Sequence, residues 1–285
     1  MTDSAYANPV QLSKENGRIY LFWRGGNFKP SFSYTDDGKT WAEARTLIQT
    51  NPSDQVRPYM KVAGNGGDRI HFAFTDGHPR NEPANGIYYA CYRNGALYKA
   101  DGTRIKGMDA LPLAHAEADR VYDGKAARAW IWDVAADSKG RPVIVYTRLP
   151  QEDDHRYYYA CWDGSKWQDH EICAAGKWFP ETPAGKTEPE PHYSGGIVLD
   201  PMDPATVYLS RQVNGIFEIE KWTTPDAGNT WHSRPMTSGS SRNNVRPFVV
   251  RNHPVGQPFV LWMNTIKYVH YTDFQAAIKM TEERF

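Results

Sequence analysis

Asp36-Asp37-Gly38-Lys39-Thr40-Trp41 and Asp226-Ala227-Gly228-Asn229-Thr230-Trp231 are two copies of one pattern, in which an acidic residue and a glycine precede a tryptophan. The same glycine–aromatic spacing returns at Gly95/Tyr98 and Gly164/Trp167. The aromatics recur at intervals of roughly 60 residues, the scale of a stacked supersecondary unit rather than of one continuous core. Asp and Gly favour a tight hairpin turn, and the aromatic after it packs the start of the next strand.

Strand signals flank each turn. Runs rich in β-branched and aromatic residues, bounded by Gly, Pro, Asn and Asp, read as strands. The first repeat spans a short piece at Pro9–Leu12, then Arg18–Arg24, Ser31–Thr35 and Thr40–Leu47. The second reads Pro58–Val62, Ile70–Phe74, Ile87–Tyr92 and Ala96–Lys99. The third reads Ala129–Ala135, Val143–Arg148, Tyr157–Trp162 and Lys166–Ile172, and the fourth Gly196–Leu199, Val207–Arg211, Ile216–Trp222 and Thr230–Pro235. A fifth reads Arg246–Arg251, Phe259–Met263 and Lys267–Tyr271, with no evident last strand. Four antiparallel strands per repeat make the blade of a β-propeller. The expected fold is therefore all-β, a single propeller domain over residues 1–285 with five repeats. Residues Met1–Asn8 are expected either to complete the fifth blade beside Lys267–Tyr271 or to leave its edge open.

Composition narrows the function classes. Lys+Arg and Asp+Glu both number 33, which argues against a nucleic-acid or membrane-seeking basic surface. The aromatic share of 13%, with 10 Trp and 17 Tyr, suits sheet packing and also sugar binding, where rings stack on pyranose faces. Cys91 and Cys161 hold matching places in two repeats and read as buried small residues, not a disulfide. No apolar run approaches the roughly 18 residues of a membrane-spanning helix. Met1-Thr2-Asp3-Ser4 lacks the basic and apolar regions of a signal peptide.

The strings Phe74-Thr75-Asp76-Gly77-His78-Pro79 and Glu190-Pro191-His192-Tyr193-Ser194-Gly195-Gly196 carry a family likeness. With the two fuller turns, which are similar to the Asp-box, they resemble the BNR-type propellers that include ulvan lyases, rhamnose–glucuronate lyases, rhamnosidases and the wider sialidase-like group. By the box's spacing, Tyr34 stands where Ser or Thr is usual, and Thr224 fits. The resemblance covers about Asn8 to Phe274. It implies a carbohydrate-active protein, usually seven-bladed and exported, so that this chain would lack N-terminal blades. It also allows a divalent cation, with His78, His192 and an Asp meeting at one ion, although no HExxH, CxxC pair or EF-hand loop is present. No GxSxG nucleophile elbow appears either.

Propeller topology assigns residues to an end of each blade. Loops joining strands two and three open on the side opposite the glycine–aromatic turns, as do the loops leading into each first strand. Arg24, Arg148 and Arg211 end second strands, while Arg57, Arg128, His192, Tyr193 and Arg246 lie at or just before first strands. His78 and His155 sit in loops after second strands. An arginine cluster suits a carboxylate, which its planar fork binds bidentately; the alternative is structural pairing with acids such as Asp76, Asp133, Glu188 and Glu190. His71 and His270 read as packed within strands, and His115, His170, His232 and His253 as surface residues.

The leading expectation is a polysaccharide lyase that acts on uronate-containing glycans by β-elimination. Arg24, Arg57, Arg148, Arg211 and Arg246 would bind the acidic substrate. His192 or Tyr193 would take the proton, and Tyr157, Tyr193 or His78 would protonate the leaving oxygen. The alternatives are a sialidase-like or rhamnosidase-like glycoside hydrolase, and an acidic-glycan-binding propeller or fragment without turnover.

Overall fold

In the computed structural model, which describes residues 5–50, 56–183 and 185–282, every sheet is antiparallel and no α-helix occurs among the described residues. The first sheet runs β1 (Ala5–Leu12), β2 (Arg18–Arg24), β3 (Pro30–Thr35) and β4 (Arg45–Thr46) in that order. The second runs β5 (Met60–Gly64), β6 (Arg69–Thr75), β7 (Ile87–Arg93), β8 (Ala96–Tyr98) and β9 (Arg104–Gly107), with β10 (Asp119–Tyr122) also paired to β7. The third is β11 (Arg128–Ala136), β12 (Pro142–Gln151), β13 (Asp154–Trp162) and β14 (Trp167–Gly176). The fourth is β15 (Ile197–Leu199), β16 (Thr206–Val213), β17 (Ile216–Thr223) and β18 (His232–Pro235). The fifth is β19 (Asn244–Val249), β20 (Phe259–His270) and β21 (Asp273–Glu282). This is a five-bladed β-propeller fold, as the repeats predict.

Three details differ from the sequence reading. Residues 267–270 are not a third strand but the far end of β20, which continues through an irregularity between Thr265 and Lys267. The third strand of the fifth sheet is β21, whose Gln275 and Phe274 face Lys267 and Tyr268, so that the N-terminal segment does not fill that place. Residues 5–12 pair with β2 instead, and Met1–Ser4 lie outside the described residues. The second blade also carries an insertion, β9 and β10, that the reading did not separate.

The chain divides into two compact units: residues 1–136 with 162–167, and residues 137–161 with 168–285. In the first, Phe22, Phe32, Phe72, Phe74, Ile70 and Leu97 are among the side chains that fill one core between the first two sheets. Burying each such side chain contributes roughly 1.5–3 kcal/mol before chain entropy is offset. In the second unit, Val198, Tyr208 and Ile219 of the fourth sheet pack on Val249, Val260 and Trp262 of the fifth. Cys91 and Cys161 are free and buried.

The two fuller turns close on their own side chains, but by different residues. In the fourth blade the Thr224 hydroxyl accepts the Gly228 N–H at 2.7 Å, and the Asp226 carboxylate accepts the Thr230 N–H at 2.8 Å. Ala227, at φ 59°, takes the extra left-handed step in that loop. In the first blade Thr35, not residue 34, supplies the hydroxyl, accepting the Gly38 N–H at 3.0 Å. Asp37 accepts from Thr40 and Lys39 at 2.7 and 2.8 Å, and these donors hold its carboxyl below the usual carboxylate range. The first box is thus one residue shorter than the spacing implies, which removes the apparent mismatch at Tyr34.

His71 is buried as predicted, with its Nδ1 2.7 Å from the Tyr89 hydroxyl and its Nε2 without a hydrogen-bond partner among the described residues. Burial pushes its pKa down to about 4. Its folded value lies below the unfolded one near 6.5, so the neutral form contributes stability at neutral pH that is lost as the pH falls from about 6.5 to about 4, in all about 3 kcal/mol. Thermal melts across this window should show a steep loss that His71→Leu flattens. An unchanged slope in the variant would assign the acid sensitivity elsewhere. His253, by contrast, is not a surface residue: it is buried with Nε2 2.9 Å from Asp200. Among the described residues no helix is long and apolar enough to cross a membrane.

Candidate functional site

In the second unit, the segment 188–196 is held in an unusual path before β15. The Glu188 N–H donates to the Val269 carbonyl at 2.7 Å, which ties the segment to the far end of β20. Tyr193 and Ser194 then adopt φ 57° and 70°, a left-handed pair that costs non-glycine residues strain. Gly195 follows because a Cβ there would lie 2.3 Å from the Ser210 hydroxyl oxygen. Beneath it, the Tyr157 hydroxyl accepts the Gly196 N–H at 2.7 Å and donates to the Ser210 carbonyl at 2.9 Å. The Ser194 hydroxyl meets His155 Nδ1 at 3.2 Å.

This path presents His192 to a buried carboxylate. The Glu188 side chain is 1% exposed, and His192 Nδ1 lies 3.1 Å from its Oε1. His270 Nε2 is 3.4 Å from the same oxygen, and the Tyr268 hydroxyl donates to Oε2. Burial, then the bond to Glu188, raises the Tyr268 phenol well above its ordinary value. The geometry puts the His192 proton on Nδ1, where Glu188 accepts it, and makes Nε2 the basic nitrogen. The imidazole is flanked by Tyr271, Tyr193 and Trp178 at ring separations of 4.4, 4.6 and 6.0 Å. The His192 main chain is fixed as well: its N–H donates to the Tyr268 hydroxyl at 3.1 Å and its carbonyl accepts from Arg246 Nη2. Arg246 sits at a bulge in β19 with φ 57°, which re-aims its side chain.

The other proposed residues of this unit are buried or already paired. Tyr193 is buried. Tyr157 is fully buried with both hydroxyl functions used, and burial raises its phenol far above the normal range. Arg211 forms a bidentate pair with Glu220, at 2.7 and 2.9 Å. Arg148 pairs with Asp169, receives support from the Tyr146 hydroxyl and stacks 3.8 Å over Tyr158.

In the first unit, Arg24 and Arg57 come together with His78 on a set of half-buried rings. Arg24 lies 4.1 Å over Tyr59 and 5.0 Å over Phe28, and Arg57 lies 4.3 Å over Phe28. Tyr59 and Trp130 are 4.5 Å apart, and the His78 ring stands 5.7 Å from each. Neither Arg24 nor Arg57 has an acidic partner in a salt bridge among the described residues. Burial, then Arg80 and Arg24, pushes His78 down to about 4. Its Nδ1 accepts the Arg80 N–H at 3.1 Å, so the neutral ring carries its proton on Nε2 and serves as a donor near neutral pH. Among the described residues no group of three or more His, Cys, Asp or Glu side chains is arranged to hold a metal ion.

A family model described as a BNR repeat-containing family member matches residues 1–175. The chain belongs to that family. This BNR protein is similar in fold to a PL25 ulvan lyase bound to GlcA(1-4)Rha3S: the TM-score is 0.71 at 13% identity, over 96% of this chain and 63% of that one. It is similar to the polysaccharide lyase Uly1 with a TM-score of 0.57 at 12% identity, over 97% and 58% of the two chains. The Hadza microbial sialidase Hz136 gives 0.54 at 13%, over 98% and 56%. The BNR protein thus spans less than two thirds of each of these chains. No curated protein sequence matches it significantly.

Sequence reasoning offered His192 as a candidate site residue but missed what surrounds it. Glu188 entered only as a structural ion-pair acid, His270 as a packed histidine, and Tyr268, Tyr271 and Trp178 not at all. One signal was available: the Glu188-Pro189-Glu190-Pro191 approach, which restricts the backbone just ahead of the histidine. In the first unit, Phe28, Tyr59 and Trp130 were also missed.

Proposed function

We propose that this chain is a carbohydrate-active propeller that acts on uronate-containing glycans by β-elimination, with His192 as the base. The observation that carries the reading is the His192–Glu188 pair: a carboxylate buried beneath an imidazole orients it and stabilises the imidazolium that forms on proton uptake. His192 Nε2 takes the proton from the carbon beside the uronate carboxylate. The carbon–oxygen bond to the leaving sugar breaks, a carbon–carbon double bond forms, and the leaving oxygen is protonated. Arg246 donates to the main-chain carbonyl of this base, and its positive charge favours the build-up of negative charge on the substrate. Tyr271, half-exposed against His192, is the phenol placed to supply the second proton. The PL25 likeness supports the glycan class.

The hydrolytic alternative has less support in this unit, because Glu188 is buried among Tyr268, His192 and His270 rather than offered to a glycosidic bond. Binding without turnover is favoured by a separate observation, Arg24 and Arg57 over Phe28 and Tyr59 with Trp130 packed beside Tyr59. That group can stack a sugar ring and hold an anion.

Incubation with a uronate-containing polysaccharide separates the readings. Elimination should raise ultraviolet absorbance in step with new reducing ends, since each cleavage leaves a conjugated double bond. New reducing ends without absorbance would mean hydrolysis, and binding with neither would select the non-catalytic reading.

A further inference from the structure

The large apolar side chains left exposed are concentrated on the fifth sheet and its loops. One face of that sheet is buried: Val249, Val260 and Trp262 pack on the fourth sheet. The opposite face is not. Phe248 faces Leu261, which faces Met280, and Met263 faces Ile278 across the same strands. Phe248, Ile278 and Met280 are 51%, 66% and 60% exposed, and Phe274 and Ile266 are exposed beside them. This face abuts an open edge: β21 pairs only with β20 among the described residues, and its outward N–H and C=O groups have no strand partner there.

Natural edge strands are usually blunted by proline, bulges or charge. Across its centre β21 has no proline or charge, and the bulge opposite Gln275–Ala276 lies in β20 rather than in the edge strand itself. Phe274-Gln275-Ala276-Ala277-Ile278 is an uncharged run without proline, in a strand of ten residues. Its charges flank that run, as Asp273 and Lys279. In an antiparallel pair of identical strands related by a two-fold axis normal to the sheet, even-numbered residues face even-numbered ones and odd face odd. One such register sets Asp273 of each copy opposite Lys279 of the other. It is centred on Ala276, and it also sets Phe274 opposite Ile278 on the apolar face. The same register therefore satisfies charge, apolar contact and backbone pairing together.

We propose that β21 is a self-pairing edge through which two copies of this chain associate, antiparallel about a two-fold axis at Ala276. The two three-stranded sheets then form one continuous sheet, and the apolar rows of both copies join on one side. The proposal is independent of the functional reading, because none of its residues is assigned to the catalytic or glycan-binding groups.

The test uses the full chain in sedimentation equilibrium over a concentration series, with thermal melts to confirm folding. A concentration-dependent dimer is expected. Asp273→Lys or Lys279→Asp alone sets like charges opposite one another at two places and should weaken association roughly tenfold. The double swap, Asp273→Lys with Lys279→Asp, restores both pairs and should recover most of the loss. Ala276→Cys should give a disulfide-linked dimer under mild oxidation, since opposed residues of an antiparallel pair lie within disulfide reach. A monomer at all concentrations overturns the proposal. So does a dimer indifferent to both single swaps, or an Ala276→Cys chain that stays uncrosslinked; these outcomes would leave the apolar face to some other occupant.

Discussion

His192→Ala should lower β-elimination about 10²- to 10⁴-fold while leaving affinity for the acidic glycan within a few-fold of the parent. That range is the usual worth of a positioned general base. The variant should fold, because the bonds that anchor residue 192 to Tyr268 and Arg246 come from its main chain and survive loss of the imidazole. Glu188→Gln is the companion. An amide can offer its N–H2 where the carboxylate accepted a proton, which favours the wrong imidazole tautomer and removes the charge that stabilises imidazolium. Turnover should fall by at least tenfold, and the limb of the pH–rate profile that reports the base should move to lower pH, because the imidazolium has lost its counter-charge. A merely structural Glu188 would change the melting temperature and leave that limb in place. If His192→Ala retains full turnover, the base lies elsewhere and the elimination mechanism loses its centre.

Tyr157→Phe should cost about 2–5 kcal/mol of stability although it removes one oxygen atom. That hydroxyl accepts from Gly196 and donates to Ser210, and the site is fully buried. The phenylalanine leaves both main-chain groups without a partner, each at about 1–3 kcal/mol. Calorimetry should show a drop of several degrees in Tm. Activity should fall too, since the same bond supports the 193–196 path that presents His192. An unchanged Tm would show that water replaces the hydroxyl, which the buried setting argues against.

The blades were legible because their information is local. Alternation and turn chemistry act over a few residues, and the glycine–aromatic turns mark the first four blades at the same point. The fifth sheet was misread where local signals fail. The Thr265–Lys267 irregularity imitates a strand break, and β21, with its alanines, lysine and glutamine, has little of the composition that strands favour. The site was less legible because its bonds are long-range. Glu188 meets Tyr268 across 80 residues, and no spacing rule reaches that far. Arg211 shows the reverse case. Its position at a strand end attracted a binding role, but Glu220, two places beyond its cross-strand neighbour Glu218, already occupies its fork.

The two Asp-box turns also differ in what leans on them. Trp231 packs edge-on against Tyr159 at 5.3 Å, whereas Trp41 is 44% exposed and the 35–40 turn is held by its own hydroxyl and carboxylate and by the Asp36–Arg18 pair at its base. A loop whose tip closes on itself transmits little to its surroundings. The turn at Gly38–Lys39 is therefore the place to graft a fluorophore, an affinity handle or a surface tether, so that the proposed glycan processing could be tested on immobilised protein.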